Sequence, residues 1–323
     1  MDVIMSSDIK IESYSPEFKQ VWNDFVESSK NGTFLFNRDY MEYHSDRFHD
    51  NSYLFYWKGK LICLLPACIT GDCLSSHAGL TYGGLILNDS CTAEIILLIF
   101  EKIISESIKK DIKKIIYKPI PHIYHTRPSE EDLYALFRNK ALLTARNISS
   151  TIFQSERLAY STLRKRMIKK SYFYNLEVRK SSDFNQFWNI LTANLKERYN
   201  KVPVHSLQEI SHLHNLFPDN IQLYASYKDG EMVAGVLIYI SRNVVHAQYI
   251  AANQQGKEMG GLDAVFNFLI EHYKDIPYFD FGISTEDCGK YLNESLIHQK
   301  EGFGARAICY DTYELIIDTL HHD

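Results

Sequence analysis

Residues 220–253 read NIQLYASYKDGEMVAGVLIYISRNVVHAQYIAAN, three apolar stretches cut by two short polar breaks. The breaks are Asp229-Gly230 and Arg242-Asn243. Dipeptides of this kind suit two-residue hairpin turns, so the segment predicts three antiparallel strands in fixed register. Such a meander must be covered by helices, and the flanking sequence supplies them. A helix over 182–198 and a second one, SLQEISHLHNLF, precede it; Ser206 and Glu209 form a capping box for the second. A helix over 262–273 follows, then the strand YFDFGIS, a helix ending near Lys300, and a last strand, ICYDTYELII.

The first half has a compatible order. It predicts a strand over 10–14, helices over 16–28 and 37–47, and a hairpin around Lys58-Gly59. CLSSHAGLTYGGLIL adds two short strands broken by glycines. A helix over 93–109, a strand stopped by proline at IKKIIYKPIP, the capped helix PSEEDLYALFRN and the strand LLTARNISSTIF complete it. The expected fold class is therefore α/β with mixed sheets, as two similar domains over 1–154 and 155–323.

The chain has 323 residues, 45% of them hydrophobic, enough for two cores. A net charge of −5 argues against a general nucleic-acid binder, so no DNA partner is expected. The six cysteines form no C-x-x-C pair, which predicts reduced thiols. His122 and His125 lack a third ligand, so no metal is expected. There is no run of ~18–20 apolar residues for a membrane span. The start, MDVIMSSDIKIESYS, shows no signal-peptide pattern, which predicts a cytoplasmic location. Neither G-x-S-x-G nor a phosphate-binding G-x-x-x-x-G-K-[ST] loop occurs, so covalent serine catalysis and ATP hydrolysis are disfavoured.

FDFGIS followed by LNESLIHQKEGFGAR resembles the C-terminal signature of FemAB-like acyltransferases. STLRKRMIKKS resembles the basic helix that opens that family's second domain, and GTFLFNRDYMEYH its first helix. The resemblance touches both ends and the middle of the chain. It implies tandem domains of the acetyltransferase fold called GNAT that join an activated acyl group to an amine. One branch uses aminoacyl-tRNA to extend peptidoglycan peptides; another, in polysaccharide clusters, is taken to use acyl-CoA. Tyr82-Gly83-Gly84-Leu85 stands where the first branch has Arg-Gly-Pro, and Ile283 where it has a second glycine. The polysaccharide-type branch is the better fit.

The resemblance implies an N-acyltransferase acting on a cell-envelope glycan or peptide precursor, such as a nucleotide sugar. Acyl-CoA is the expected co-substrate, with no permanently bound cofactor. Lys300 matches the family's functional lysine and is the candidate to stabilise an oxyanion. Asp280, His205 and His77 are candidate bases. On the donor side stand Gln248, Tyr249, Ser284, Asn293, and the glycines 256, 260 and 261 (Gly256, Gly260, Gly261) at a helix start. Tyr82, Lys118, His122, Tyr124, Arg164 and Arg166 are the candidates for the acceptor. Alternation places Asp280 and Gly282 on one face of their strand, and Val245, Ala247 and Tyr249 opposite His246, Gln248 and Ile250 on theirs. For Asp280 and Gln248 a polar sheet face is an equal reading, and His246 reads as a structural histidine. Two alternatives stay open: an aminoacyl-tRNA-dependent transferase, and a catalytically silent module that binds a glycan precursor.

Overall fold

The computed structural model describes residues 8–317. These residues divide into two compact units. Of the described residues, the first comprises 8–147, 285–291 and 309–317; the second comprises 148–284 and 292–308. This division is discontinuous, unlike a single cut at 154/155. The reason lies in the last strand, whose residues 313–316 pair with residues 114–117 within the first unit.

In the first unit β1 (Ile9–Ser13) leads to α1 (Lys19–Ser28) and the one-turn α2 (Arg38–Met41). The expected helix over 37–47 thus shortens to one α-turn, followed by a 3₁₀ turn over Glu42–His44. Then come β2 (His49–Asp50), β3 (Tyr53–Trp57), β4 (Lys60–Leu65), β5 (Cys68–Thr70), β6 (Cys73–Ser75) and β7 (Ile86–Leu87). α3 (Ala93–Lys109), β8 (Lys114–Tyr117) and α4 (Glu131–Arg138) follow, and β9 (Leu142–Phe153) runs on into the second unit from residue 148. β1, β3, β4 and β7 form one antiparallel sheet. α3 places Ile95, Ile96, Ile99, Phe100 and Ile103 in the core at helical spacing, against Phe55, Leu65 and Leu87. Thr92 caps that helix by accepting from Ile95 N–H.

In the second unit α5 (Thr162–Phe173), β10 (Glu177–Ser181), α6 (Phe184–Tyr199) and α7 (Leu207–Leu216) precede the meander. The meander is β11 (Ile221–Lys228), β12 (Glu231–Ile240) and β13 (Val244–Ala252), antiparallel throughout as expected. Asp229 and Gly230 both take positive φ at the first turn. α8 (Gln254–Met259) and α9 (Gly261–His272) lead to β14 (Tyr278–Ile283). α10 (Glu294–Glu301) also belongs here, whereas β15 (Thr285–Glu286) lies in the first unit, and β16 (Tyr291–Leu292) and β17 (Arg306–Ile316) each have residues in both. β17 pairs antiparallel with β8, from Tyr313↔Tyr117 to Ile316↔Lys114.

Helices cover both faces of the second unit's sheet. Val265, Phe266, Leu269 and Ile270 of α9 pack on Val236, Ile238, Phe279 and Phe281. On the opposite face Gly235 lets Phe187 of α6 approach: a β carbon there would lie 2.7 Å from its ring.

Candidate active site

β13 and β14 pair in parallel from Val244↔Tyr278 to His246↔Asp280, and the ladder ends there. β13 continues to Ala252 and β14 to Ile283, so the strands part beyond this pair. β14 also loses register with β9 between Asp280 and Ile283. Gly282 lies in that irregularity with φ +78°, a conformation costly for any residue with a β carbon. Carbonyls released from a ladder need new donors. Here the Lys300 ammonium supplies them, donating to the oxygens of Gly282 and Ile283 at 2.8 Å each.

Lys300 projects from α10 and is only 5% exposed. Burial pushes its ammonium down to about 8, while the nearby charge of Asp280 acts in the other direction. The structure therefore places this lysine as a clamp on a bulge. Two of its hydrogens are committed to backbone oxygens rather than directed at solvent.

Asp280 is completely buried. Its carboxylate accepts from Ser149 Oγ, from Thr151 Oγ1 at 2.7 Å and from His246 Nδ1 at 2.7 Å. Burial by itself raises its pKa, but the His246 contact and the two hydroxyls outweigh it and hold the group below the ordinary carboxylate value. An ionised carboxylate can only accept, so His246 Nδ1 carries the hydrogen, and in the neutral ring Nε2 is the nitrogen with the lone pair. Nε2 makes no hydrogen bond among the described residues. The His246 side chain is 14% exposed, and Gly282 leaves its imidazole edge free of a neighbouring β carbon. A β carbon there would sit 3.4 Å from His246 Cε1 and 3.9 Å from Nε2. Such an arrangement can act as a general base, its tautomer held by a buried acid.

Alternation fails on β13. Leu237 opposes Tyr249 and Ile238 opposes Ala247, so Gln248 is the extra residue of a bulge. Beyond the bulge the faces exchange. Tyr249 packs edge-on against Trp188 of α6, and Ile250 packs in the α9 core, the reverse of the expected placement. Tyr249 also meets His205, whose Nδ1 lies 2.6 Å from its hydroxyl. Burial pushes the Tyr249 phenol up to about 12. His205 is thus a buried partner of Tyr249, 5% exposed.

The three glycines near α8 serve packing. A β carbon on Gly256 would lie 2.1 Å from Val233 O, one on Gly260 2.4 Å from Met167 O, and one on Gly261 3.0 Å from the Ala234 β carbon. Gly260 also takes φ +80° as it closes α8. Asn293 caps α10 by accepting from Leu296 N–H. Ser284 is 1% exposed, its N–H bonded to Ile148 O. Arg164 pairs with Asp263 at 2.7 Å across α5 and α9, whereas Arg166 is exposed. Burial raises Asp263 to about 6 against that guanidinium.

The remaining candidates lie in the first unit. His77 takes φ +59°, is 2% exposed and stacks on His44 at 5.2 Å. Burial drives it down to about 3, so it is neutral at ordinary pH. Lys118 Nζ donates to Leu80 O, and burial lowers it to about 8. Tyr82 and Tyr124 are core residues, their hydroxyls bonded to Thr33 and Tyr310. His122 is exposed on a 3₁₀ turn. Alternation alone put Asp280 beside Gly282 as one of two equal readings, and it left His246 as a structural histidine. Its signal was the neighbouring polar position on the strand expected to lie beside Asp280.

Residues 159–290 match the family described as an acetyltransferase (GNAT) domain. No curated protein matches the chain. Among solved structures the chain is similar to FemX, with TM-score 0.70 and 10% identity over 97% of this chain and 98% of that one. L-PGS from Bacillus licheniformis gives 0.58 and 11% over 94% and 92%. A tandem GNAT protein from the clavulanic acid biosynthesis pathway gives 0.50 and 8% over 96% and 98%. The fold class is α/β of the tandem acetyltransferase type, and a transferase is the enzyme class that the matched domain defines. Among the described residues no helix is long and apolar enough to cross a membrane.

Proposed function

We propose that the protein is an N-acyltransferase that moves an acyl group from acyl-CoA to an amine of a cell-envelope glycan or peptide precursor. The observation that carries this is the His246–Asp280 pair at the point where β13 and β14 part. The donor is assigned to residues 155–323, which contain the matched domain. The thioester would lie beyond Gly282, where β13 and β14 part. The acceptor amine attacks the carbonyl carbon, forming the C–N bond. His246 Nε2 takes the proton that the amine must lose. The tetrahedral oxyanion collapses, the C–S bond breaks, and the CoA thiolate takes the proton from the His246 imidazolium and leaves as the thiol, restoring the neutral base. Asp280 holds the imidazole and balances the imidazolium. Lys300 positions the bulge, with its charge near Asp280.

The envelope precursor as acceptor rests on the FemAB-like motifs and on the similarity to FemX. Release of CoA thiol from an acyl-CoA panel, dependent on added amino-sugar nucleotides or peptides, tests the reading. Absence of thiol release and of donor binding by calorimetry would overturn it. A second reading, aminoacyl-tRNA as donor, is favoured by the FemX likeness over 97% of the chain. Transfer abolished by ribonuclease selects it.

A further inference from the structure

α5 is the most basic element of an otherwise acidic chain. Its sequence, TLRKRMIKKSYF, holds five cations and no acid, in a protein of net charge −5. One side faces inward: Ile168 and Ser171 are buried and Arg164 pairs with Asp263 of α9. At about 100° per residue, Lys165, Lys169, Phe173, Arg166 and Lys170 fall in that order within one outward arc of about 140°. All five are exposed, and among the described residues none of the four cations forms an ion pair. Phe173, at the centre of the arc, is 79% exposed. Tyr172 at 65% and Leu163 at 40% border the arc on its two sides.

We infer that this face docks the protein on an anionic lipid bilayer. Unpaired ammonium and guanidinium groups on flexible stems match lipid phosphates, and their attraction adds per cation near a charged surface. An aromatic ring between such stems sinks among headgroups, as in helices that lie in the interface plane. A ring exposed to water on a soluble surface gains from this transfer. The face is the convex outside of a helix. A single-stranded nucleic acid is instead tracked by a groove with stacked bases, which makes the bilayer the better occupant. The docking function is independent of the acyl-transfer chemistry.

Co-sedimentation with vesicles tests it on the full chain. Vesicles of phosphatidylcholine containing one third phosphatidylglycerol should bind at least about tenfold more protein than pure phosphatidylcholine, and added salt should reduce this. Phe173→Ser should lower binding about fivefold, and the double variant Lys169→Gln/Lys170→Gln about tenfold or more. Phe137→Ser, on α4 and 76% exposed, should leave binding unchanged. These exposed changes should preserve the circular dichroism spectrum. Equal binding to both vesicle types, or wild-type binding by the α5 variants, overturns the proposal. So does α5-dependent binding of a tRNA mixture without vesicle binding.

Discussion

His246 Nδ1 lies 2.7 Å from Asp280 Oδ2, and these two residues form the last pair of the parallel ladder between β13 and β14. The ladder sets their spacing, so the imidazole is aimed by backbone register as well as by its own hydrogen bond. Asp280→Asn keeps the shape and still accepts from Ser149 or Thr151. Its amide would donate to His246 Nδ1, however, and move the hydrogen to Nε2. Turnover should fall by ~10³-fold or more with donor affinity retained, since the wrong tautomer cannot accept a proton. Steady-state rates beside calorimetric donor binding check this.

Lys300→Met should act first on stability. It leaves the Gly282 and Ile283 oxygens without their donor inside the protein. Gly282 is half-buried and Ile283 exposed, so water replaces part of what is lost, and the cost should be about 1–3 kcal/mol in all, a melting midpoint lower by a few degrees. A lysine serving only as an oxyanion donor in an open cleft would lose turnover while melting normally. Differential scanning calorimetry of the variant decides between the two.

Local rules made much of the fold legible. The 93–109 helix appears with those bounds, and the Ser206/Glu209 capping box forms as its spacing implies. The meander was legible because Asp229-Gly230 can adopt only a narrow set of turns. Three features escaped for physical reasons. The bulge at Gln248 reverses alternation, and an extra residue leaves no mark in a period-two pattern. Gly256, Gly260 and Gly261 resemble a phosphate loop, whereas steric fit against Val233, Met167 and Ala234 explains them. His246 looked structural because half of it is: one nitrogen is bonded and the other is not. That asymmetry exists only once two strands distant in sequence are paired.

Gly256→Ala tests the packing account of the glycines. The new methyl carbon would overlap Val233 O at 2.1 Å, so α8 must shift from β12. The variant should lose stability by about 1–3 kcal/mol, as in overpacked cores. A phosphate-contact role predicts weaker donor binding at unchanged stability. Paired chemical denaturation and donor titration separate the outcomes.

Acid should destabilise the protein through its buried histidines. Burial lowers His77 from 6.5 to about 3 and His125 from 6.5 to about 4. Between these values and 6.5 the unfolded chain binds protons that the folded chain refuses. Stability therefore rises with pH across that window and falls as pH drops through it. Each group contributes up to about 1.4 kcal/mol per pH unit. His77→Asn, which tolerates the positive φ, should flatten the dependence of urea midpoints between about pH 6 and 4.

The central claim is that His246 accepts the proton of the attacking amine. The most direct test is the pH dependence of acyl-CoA-dependent amide formation by wild type and His246→Gln. Wild type should show a limb on the acid side where one group must be deprotonated. The variant should lose that limb and turn over ~10²–10⁴-fold more slowly, with donor affinity and melting temperature kept. A variant with wild-type turnover and an unchanged profile would contradict the account.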